Sequence, residues 1–180
     1  MTGFEQLGEE LIHEGPVFSV TVGQVRSPEG EILTREYVRH PGAVVVVPIV
    51  DGDVVLVRQY RAAIDRDLLE IPAGKRDVPG EPPAETAARE LREEVGLVAG
   101  SLTPLTEFFN TPGFSDEYSY AFLATDCVEV AMERQGAEEQ HMQIVRMPLA
   151  DAVAQVVSGE IDDAKTIIGL LLAHRRLTAE

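Results

Sequence analysis

The chain has 180 residues, 44% of them hydrophobic, and its 31 acidic residues against 15 lysines and arginines give a net charge of −16. This size predicts one globular domain with a small N-terminal extension. The acidity excludes duplex nucleic acid as the expected partner, because that class of binding needs a basic surface. The lack of any run of about 18 apolar residues predicts that no segment spans a membrane.

Two features of the sequence predict a cytoplasmic protein. Cys127 is the single cysteine and lies in an apolar segment, where a buried, inert thiol is the usual outcome, so we expect no disulfide. Residues 1–14 contain Glu5, Glu9 and Glu10 and lack the basic and then apolar pattern of an export signal.

The first part of the chain is predicted to form β-strands. Ala43–Val50 is a nearly continuous apolar run, which is typical of a buried strand, and Asp51-Gly52 predicts a tight turn into the next strand. Strands are expected, in chain order, over residues 17–25, 32–40, 43–50, 54–60 and 68–72.

A helix is predicted after these strands, because apolar residues recur there at helical spacing: Ala84, Ala87, Ala88, Leu91 and Val95. Glu90, Glu93 and Glu94 fall together on a neighbouring face, where like charges repel by roughly 0.2–0.5 kcal/mol per pair. A hard divalent cation would neutralise such a set, since Mg²⁺ and Mn²⁺ take carboxylate oxygens as ligands. The alternative is a solvated acidic face that is paired with Arg89 and Arg92.

The remaining elements complete an α+β pattern. Strands are predicted over residues 102–109, 118–127 and 142–147, and helices over residues 149–157 and 162–177, separated at Gly159. Many strands, one helix in the middle and a helical C-terminus predict a mixed sheet packed by helices.

The segment around the middle helix resembles the Nudix box, the signature of hydrolases that cleave a nucleoside diphosphate linked to another group. The box reads Gly, five residues, Glu, seven residues, then Arg-Glu-apolar-x-Glu-Glu-x-Gly-apolar. Here Glu81, seven intervening residues and then Arg89-Glu90-Leu91-Arg92-Glu93-Glu94-Val95-Gly96-Leu97 fit without error. Six residues separate Gly74 from Glu81, and this extra residue lies in a Pro-Gly loop, where length costs little.

The resemblance implies the architecture of the domain. A Nudix-type α/β/α sandwich is expected over residues 42–180, with the box forming a loop–helix–loop over the sheet. Residues 1–41 resemble the additional N-terminal antiparallel strands of ADP-ribose pyrophosphatases, in which these strands build a homodimer.

The resemblance also implies a metal site. Mg²⁺, with Mn²⁺ as a possible substitute, would bind Glu90 and Glu94, with Glu93 alongside and the carbonyl of Ala73 completing the set. Glu90 and Glu94 lie one helical turn apart, which agrees with this assignment. Arg89 would pair with a carboxylate, while Gly74 would let the chain approach the metal and Gly96 would end the helix.

A downstream loop resembles the one that marks the ADP-ribose subclass. Pro112 lies 16 residues after Gly96 within Asn-Thr-Pro-Gly-Phe-Ser-Asp-Glu, and Glu117 is the loop carboxylate that would contact the terminal ribose. On composition alone, this segment is an ordinary hairpin turn.

Other substrate contacts are expected on the strands. Arg61 would bind the diphosphate and Arg58 would lie near the adenine, because arginine suits both oxyanions and stacking. Glu70 is expected near the mouth of the pocket. Phe18 is expected to stack on adenine across the dimer.

The general base is expected in the segment before the last strand. The resemblance implies a glutamate there, and alignment back from Met142 favours Glu138 over Glu139 as the base, with Glu93 as a further catalytic candidate. His141 is an alternative base, because histidine is the most common general base in enzymes, but no family pattern supports it.

These observations predict Mg²⁺-dependent hydrolysis of ADP-ribose, a small-molecule substrate, to AMP and ribose 5-phosphate. One alternative is the same reaction on another nucleoside diphosphate sugar or a dinucleotide. A second alternative is a sensor that binds ADP-ribose without hydrolysing it. The complete set of box glutamates argues against the sensor.

Overall fold

A computed structural model of the protein describes residues 3–132 and 140–179. These residues form two compact units. The first contains Met1–Gly42 and Phe108–Tyr118, and the second contains Ala43–Glu107 and Ser119–Glu180. In the described parts of the chain, no helix has both the length and the apolar character needed to cross a bilayer.

The first unit contains a three-stranded antiparallel sheet of β1 (Glu5–Glu14), β2 (Ser19–Arg26) and β3 (Ile32–Arg39), in that order. The predictions for β2 and β3 are confirmed to within two residues. We did not predict β1, because every residue of this strand is exposed and it lacks the alternation that marks a half-buried strand. Two irregularities, between Gln6 and Gly8 and between Leu11 and His13, further break its pattern.

The second unit contains a seven-stranded mixed sheet and a two-stranded ladder. The sheet strands are β4 (Ala43–Val50), β5 (Asp53–Arg61), β6 (Arg66–Glu70), β7 (Ala73–Lys75), β9 (Ser101–Phe109), β10 (Tyr118–Thr125) and β12 (Gln143–Pro148). The ladder pairs β8 (Leu97–Val98) with β11 (Val128–Glu129). The sheet order is β12-β5-β4-β10-β9, with β6 beside β5 and β7 beside β4.

Three helices pack in the described part of this unit: α1 (Pro83–Val95), α2 (Leu149–Ser158) and α3 (Ala164–Thr178). Strand β4 lies between α1 and α3, because Val44 and Val46 join the core cluster of α1 while Val47 contacts the α3 glycine, Gly169. Side chains of a strand alternate between the two faces of its sheet, so these contacts place α1 and α3 on opposite faces. The expected α/β/α sandwich is confirmed.

Glycine is required at Gly169 because α3 packs closely on the sheet. A Cβ there would lie 2.7 Å from Cδ1 of Ile71 and 3.0 Å from Cγ2 of Val47. The expected break at Gly159 is also present, since this residue ends α2 in the left-handed conformation with φ of 82°.

Candidate active site

The box helix α1 buries a different stripe from the one predicted. Ala87, Leu91 and Val95 are buried as expected, but Ala84 and Ala88 are exposed. Glu94 is buried instead, with an exposed fraction of 6%. The helix is therefore rotated so that its carboxylates, and not its outer alanines, face the protein.

The carboxyl group of Glu90 lies directly against the backbone of Gly74. Strand β7 pairs antiparallel with β4, which places Gly74 opposite Val44. A Cβ at Gly74 would lie 1.9 Å from Cδ and 2.3 Å from Oε1 of Glu90. Only glycine leaves this space, so the first residue of the box is required for the approach of Glu90 to the strand.

Glu94 is held by the same strand. Its Oε2 accepts a hydrogen bond of 3.0 Å from the backbone N–H of Ala73. Glu90 and Glu94 therefore both contact β7, one at Gly74 and the other at Ala73. This arrangement brings two of the predicted metal ligands and the predicted carbonyl donor residue together.

Arg89 links the other box carboxylates. Its Nη1 donates to Oε1 of Glu90 at 2.8 Å and to Oε2 of Glu93 at 3.2 Å. Its Nε and Nη2 reach the two oxygens of Glu81 at 3.4 Å. Glu81 also accepts a 2.8 Å hydrogen bond from the hydroxyl of Thr86. The predicted pairing of Arg89 is present, and it joins the loop to the helix despite the extra loop residue.

Arg61 and Glu70 form a second charged pair, at the ends of β5 and β6. Nε and Nη2 of Arg61 donate to the two carboxylate oxygens of Glu70 at 2.8 and 3.0 Å. The side chain of Glu70 is only 2% exposed. The carboxylate of Glu70 is thus buried with both oxygens bonded, and its expected place near the mouth of the pocket stays a prediction.

Arg58 and Arg61 lie on opposite faces of β5. The two residues are three positions apart in a regularly paired strand, where successive side chains alternate. Arg61 shares its face with Val57, which packs in the core cluster of α1. The structure thus places Arg61 on the side of the box helix and Arg58, which is exposed, on the other side.

In the first unit, the loop of Pro112 and Glu117 is tied to β3. The carboxylate of Asp116 accepts hydrogen bonds from Nη1 of Arg39 at 3.1 Å and from the backbone N–H of His40 at 2.8 Å. Arg39 is also paired with Glu9 of β1. The N–H of Glu117 donates to the hydroxyl of Ser115 at 3.2 Å. These contacts order the loop against β1 and β3.

The family model for the NUDIX domain matches residues 39–168. The chain belongs to the NUDIX family. The ADP-ribose pyrophosphatase of Mycobacterium tuberculosis is 45% identical over 172 residues, which cover 95% of this chain and 83% of that protein. The ADP-ribose pyrophosphatase of Bacillus subtilis is 40% identical over 161 residues, which cover 89% of this chain and 86% of that protein.

A solved structure of an ADP compounds hydrolase has the same fold. It superposes with a TM-score of 0.85 at 28% identity, covering 98% of this chain and 95% of that chain. This similarity extends over both units of the NUDIX protein, including the N-terminal strands that lie outside residues 39–168.

The carboxylates of the NUDIX box fit a hard divalent cation by their chemistry, and NUDIX hydrolases generally depend on such a metal. Burial raises the pKa of Glu90 to about 7, with the charge of Glu93 adding to the effect and Arg89 opposing it. A divalent cation that took the place of the proton on Glu90 would stabilise these buried carboxylates, whose ligand atoms are all oxygens. Within residues 3–132 and 140–179, no three acidic, histidine or cysteine side chains already converge as metal ligands.

The other predicted site residues have the following positions. Phe18, Pro112 and Glu117 belong to the first unit, and Phe18 is exposed. Glu138 and Glu139 lie outside the described residues. The predicted roles of all these residues stay predictions.

Our sequence analysis missed the hydrogen-bonded residues Asp163 and Thr166 at the start of α3. Asp163 accepts hydrogen bonds from the backbone N–H and the hydroxyl of Thr166 at 2.9 and 2.7 Å, which caps the helix. The hydroxyl of Thr166 accepts a further bond of 3.0 Å from the N–H of Ile71, next to Glu70. The capping pattern Asp-x-x-Thr was the available signal.

Proposed function

We propose that this chain hydrolyses the diphosphate of ADP-ribose to AMP and ribose 5-phosphate, with Mg²⁺ as the metal and Mn²⁺ as a possible substitute. The observation that carries the proposal is the contact of Glu90 and Glu94 with β7 in a complete NUDIX box. The names of two relatives, at 45% and 40% identity over most of the chain, support ADP-ribose as the substrate.

In this proposal, the box holds the metal and Arg61 binds the substrate. Glu90 and Glu94, with Glu93 and the carbonyl of Ala73, hold the divalent cation, which neutralises the charge of the diphosphate. Arg61 donates to an oxygen of the same diphosphate, because its guanidinium lies on the box side of β5.

The reaction is a displacement at phosphorus. The oxygen of a water molecule bonds to one phosphorus, and the bond from that phosphorus to the bridging oxygen breaks. The general base takes the proton of the water, and the bridging oxygen leaves with the other phosphate. Glu138 is proposed as the base, with Glu139 as its alternative.

The first experiment is a substrate panel. Phosphate released by an added phosphatase is measured with ADP-ribose, ADP-glucose, GDP-mannose, diadenosine polyphosphates and NADH, each with Mg²⁺, with Mn²⁺ and with EDTA. We expect a metal-dependent preference for ADP-ribose. Preference for another compound would keep the reaction and contradict the substrate, whereas tight binding of ADP-ribose without turnover would support the sensor.

The role of Glu117 is tested by substrate selectivity. We expect Glu117→Ala to lower kcat/KM for ADP-ribose by about 10-fold, because a buried hydrogen bond from a ribose hydroxyl to a carboxylate contributes about 1.5–3 kcal/mol. ADP-glucose should be less affected. Glu36→Ala removes an exposed carboxylate from the same unit and serves as the control. Equal losses on both substrates would remove Glu117 from ribose recognition.

The role of Glu138 is tested by separating turnover from affinity. We expect Glu138→Gln to lower kcat by about 100-fold or more with a small change in KM, since a general base acts only in the transition state. Glu139→Gln is the matched control. The reverse ranking of the two variants would assign the base to Glu139.

We also propose a homodimer formed through the sheet of the first unit, and a cytoplasmic location. Supporting the dimer, β1 is exposed along its whole length and large apolar side chains are exposed nearby, among them Phe4, Leu11, Ile12 and Phe18. Light scattering would contradict the dimer if it gave the mass of one chain, 19.6 kDa.

A further inference from the structure

The pairing of Arg61 with Glu70 fixes the plane of the guanidinium. The carboxylate of Glu70 is almost fully buried and both of its oxygens accept from Arg61, at 2.8 and 3.0 Å. Such a two-point contact removes the rotation that a single hydrogen bond would leave. Glu70 is itself held in place, because it lies opposite Val57 in the regular pairing of β5 with β6.

The same geometry leaves one end of Arg61 available. The pair uses the edge formed by Nε and Nη2, while Nη1 has no hydrogen-bond partner in the described ranges 3–132 and 140–179. The side chain of Arg61 is 37% exposed, although its carboxylate partner is not. Arg61 therefore combines an edge fixed on a buried carboxylate with a further donor, Nη1, on a partly exposed side chain, which is the arrangement that a phosphate-binding arginine needs.

The charges around Arg61 keep it protonated, and one of them belongs to a carboxylate of the box. Burial alone would lower its pKa, but the hydrogen bonds and charge of Glu70, with the charges of Asp163 and Glu94, hold the pKa above its ordinary value. Glu94 is one of the box residues that contact β7. The guanidinium of Arg61 is therefore within electrostatic range of this box carboxylate.

A purely structural explanation of the pair is weak. A buried ion pair often contributes no more stability than apolar residues of the same size, because both charges lose their hydration. Here Val57, which lies opposite Glu70 in the pairing of β5 with β6, is a valine of the core cluster. An apolar pair would have continued that core, so the charged pair is better explained by the exposed end of Arg61.

We propose that Glu70 is a positioning residue, which orients the guanidinium of Arg61 so that Nη1 donates to an oxygen of the substrate's diphosphate. This inference rests on the proposed function. Glu70 itself does not touch the substrate. Its effect on the reaction passes through Arg61 alone.

The test is a double-mutant cycle with Glu70→Gln, Arg61→Lys and the double variant. Glutamine is close in size to glutamate but cannot accept from both nitrogens of Arg61. We expect Glu70→Gln to lower kcat/KM for ADP-ribose by about 10- to 100-fold, the range typical when a residue that orients a binding group is changed. In the Arg61→Lys background, the same change should cost less than about 3-fold, because lysine has no fixed edge to orient.

Leu69→Val controls for general damage to β6. This neighbour of Glu70 is buried and lies on the opposite face of the strand. We expect it to lower the melting temperature while leaving kcat/KM within about 2-fold of the wild type. Equal losses of kcat/KM from Glu70→Gln in the two Arg61 backgrounds would overturn the positioning role, as would wild-type kcat/KM in Glu70→Gln.

A binding measurement separates this inference from the proposed function. Calorimetric titration with inorganic pyrophosphate in the presence of Mg²⁺ probes the diphosphate site without the nucleoside or the ribose. Glu70→Gln should weaken this binding by about 10-fold or more. That result would support the positioning role even if the panel showed that ADP-ribose is not the substrate, whereas unchanged pyrophosphate affinity would overturn the role even if ADP-ribose is hydrolysed.

Discussion

Glu94→Gln is expected to lower kcat/KM for ADP-ribose by at least about 100-fold, because a catalytic metal contributes several kcal/mol of transition-state stabilisation. The amide oxygen of glutamine can still accept the hydrogen bond from the N–H of Ala73. The fold should therefore be kept while the negative charge is lost. Titration of activity with Mg²⁺ measures the effect, and it should show a metal site with a much weaker affinity for Mg²⁺.

Glu85→Gln is the matched control for this variant. It removes the same charge from the exposed first turn of α1, away from β7, and should leave the activity unchanged. Wild-type activity in Glu94→Gln, with the ordinary Mg²⁺ dependence, would exclude Glu94 from the metal site.

Gly74→Ala is expected to abolish most activity without unfolding the protein. The added methyl group would occupy the position of the Glu90 carboxyl, 1.9 Å from its Cδ. Glu90 has a flexible side chain and can rotate away, so the cost in stability should be small. The displaced carboxylate can no longer lie against β7, and we expect kcat/KM to fall by about 100-fold, comparable to the loss of a metal ligand.

Thermal unfolding and metal-dependent activity, measured together, check this result. Val78→Ala changes an exposed side chain in the loop that follows β7 and should behave as the wild type. A Gly74→Ala protein that keeps full activity would show that the contact of Glu90 with Gly74 is not needed for the reaction.

The sequence was sufficient to predict the core strands and the box helix. Ala43–Val50 is almost entirely apolar, and the protein buries it on both faces between α1 and α3. The box spacing indicated that Glu90 and Glu94 lie close to the strand of Gly74, and both contact β7 in the structure. Such patterns are local in the chain and directly reflect burial or a required close approach.

What could not be predicted depends on contacts between distant segments. Strand β1 is exposed and is defined by its pairing with β2. Its sequence therefore shows no hydrophobic periodicity from which the strand could be predicted. The rotation of α1, which exposes Ala84 and Ala88, depends on the surface it meets. The burial of Glu70 depends on its pairing with Arg61, and a single glutamate in a short strand gives no sign of its partner.

The parallel pairing of β4 with β10 affects the order in which the protein can be completed during synthesis. Residues Ala43 to Pro48 pair with Ser119 to Ala124, and the whole box lies between these two strands in the chain. A growing chain that ends before Ser119 contains every box carboxylate but lacks the central neighbour of β4. Because such long-range contacts form late, we infer that the box glutamates become ordered only after the second half of the domain has left the ribosome.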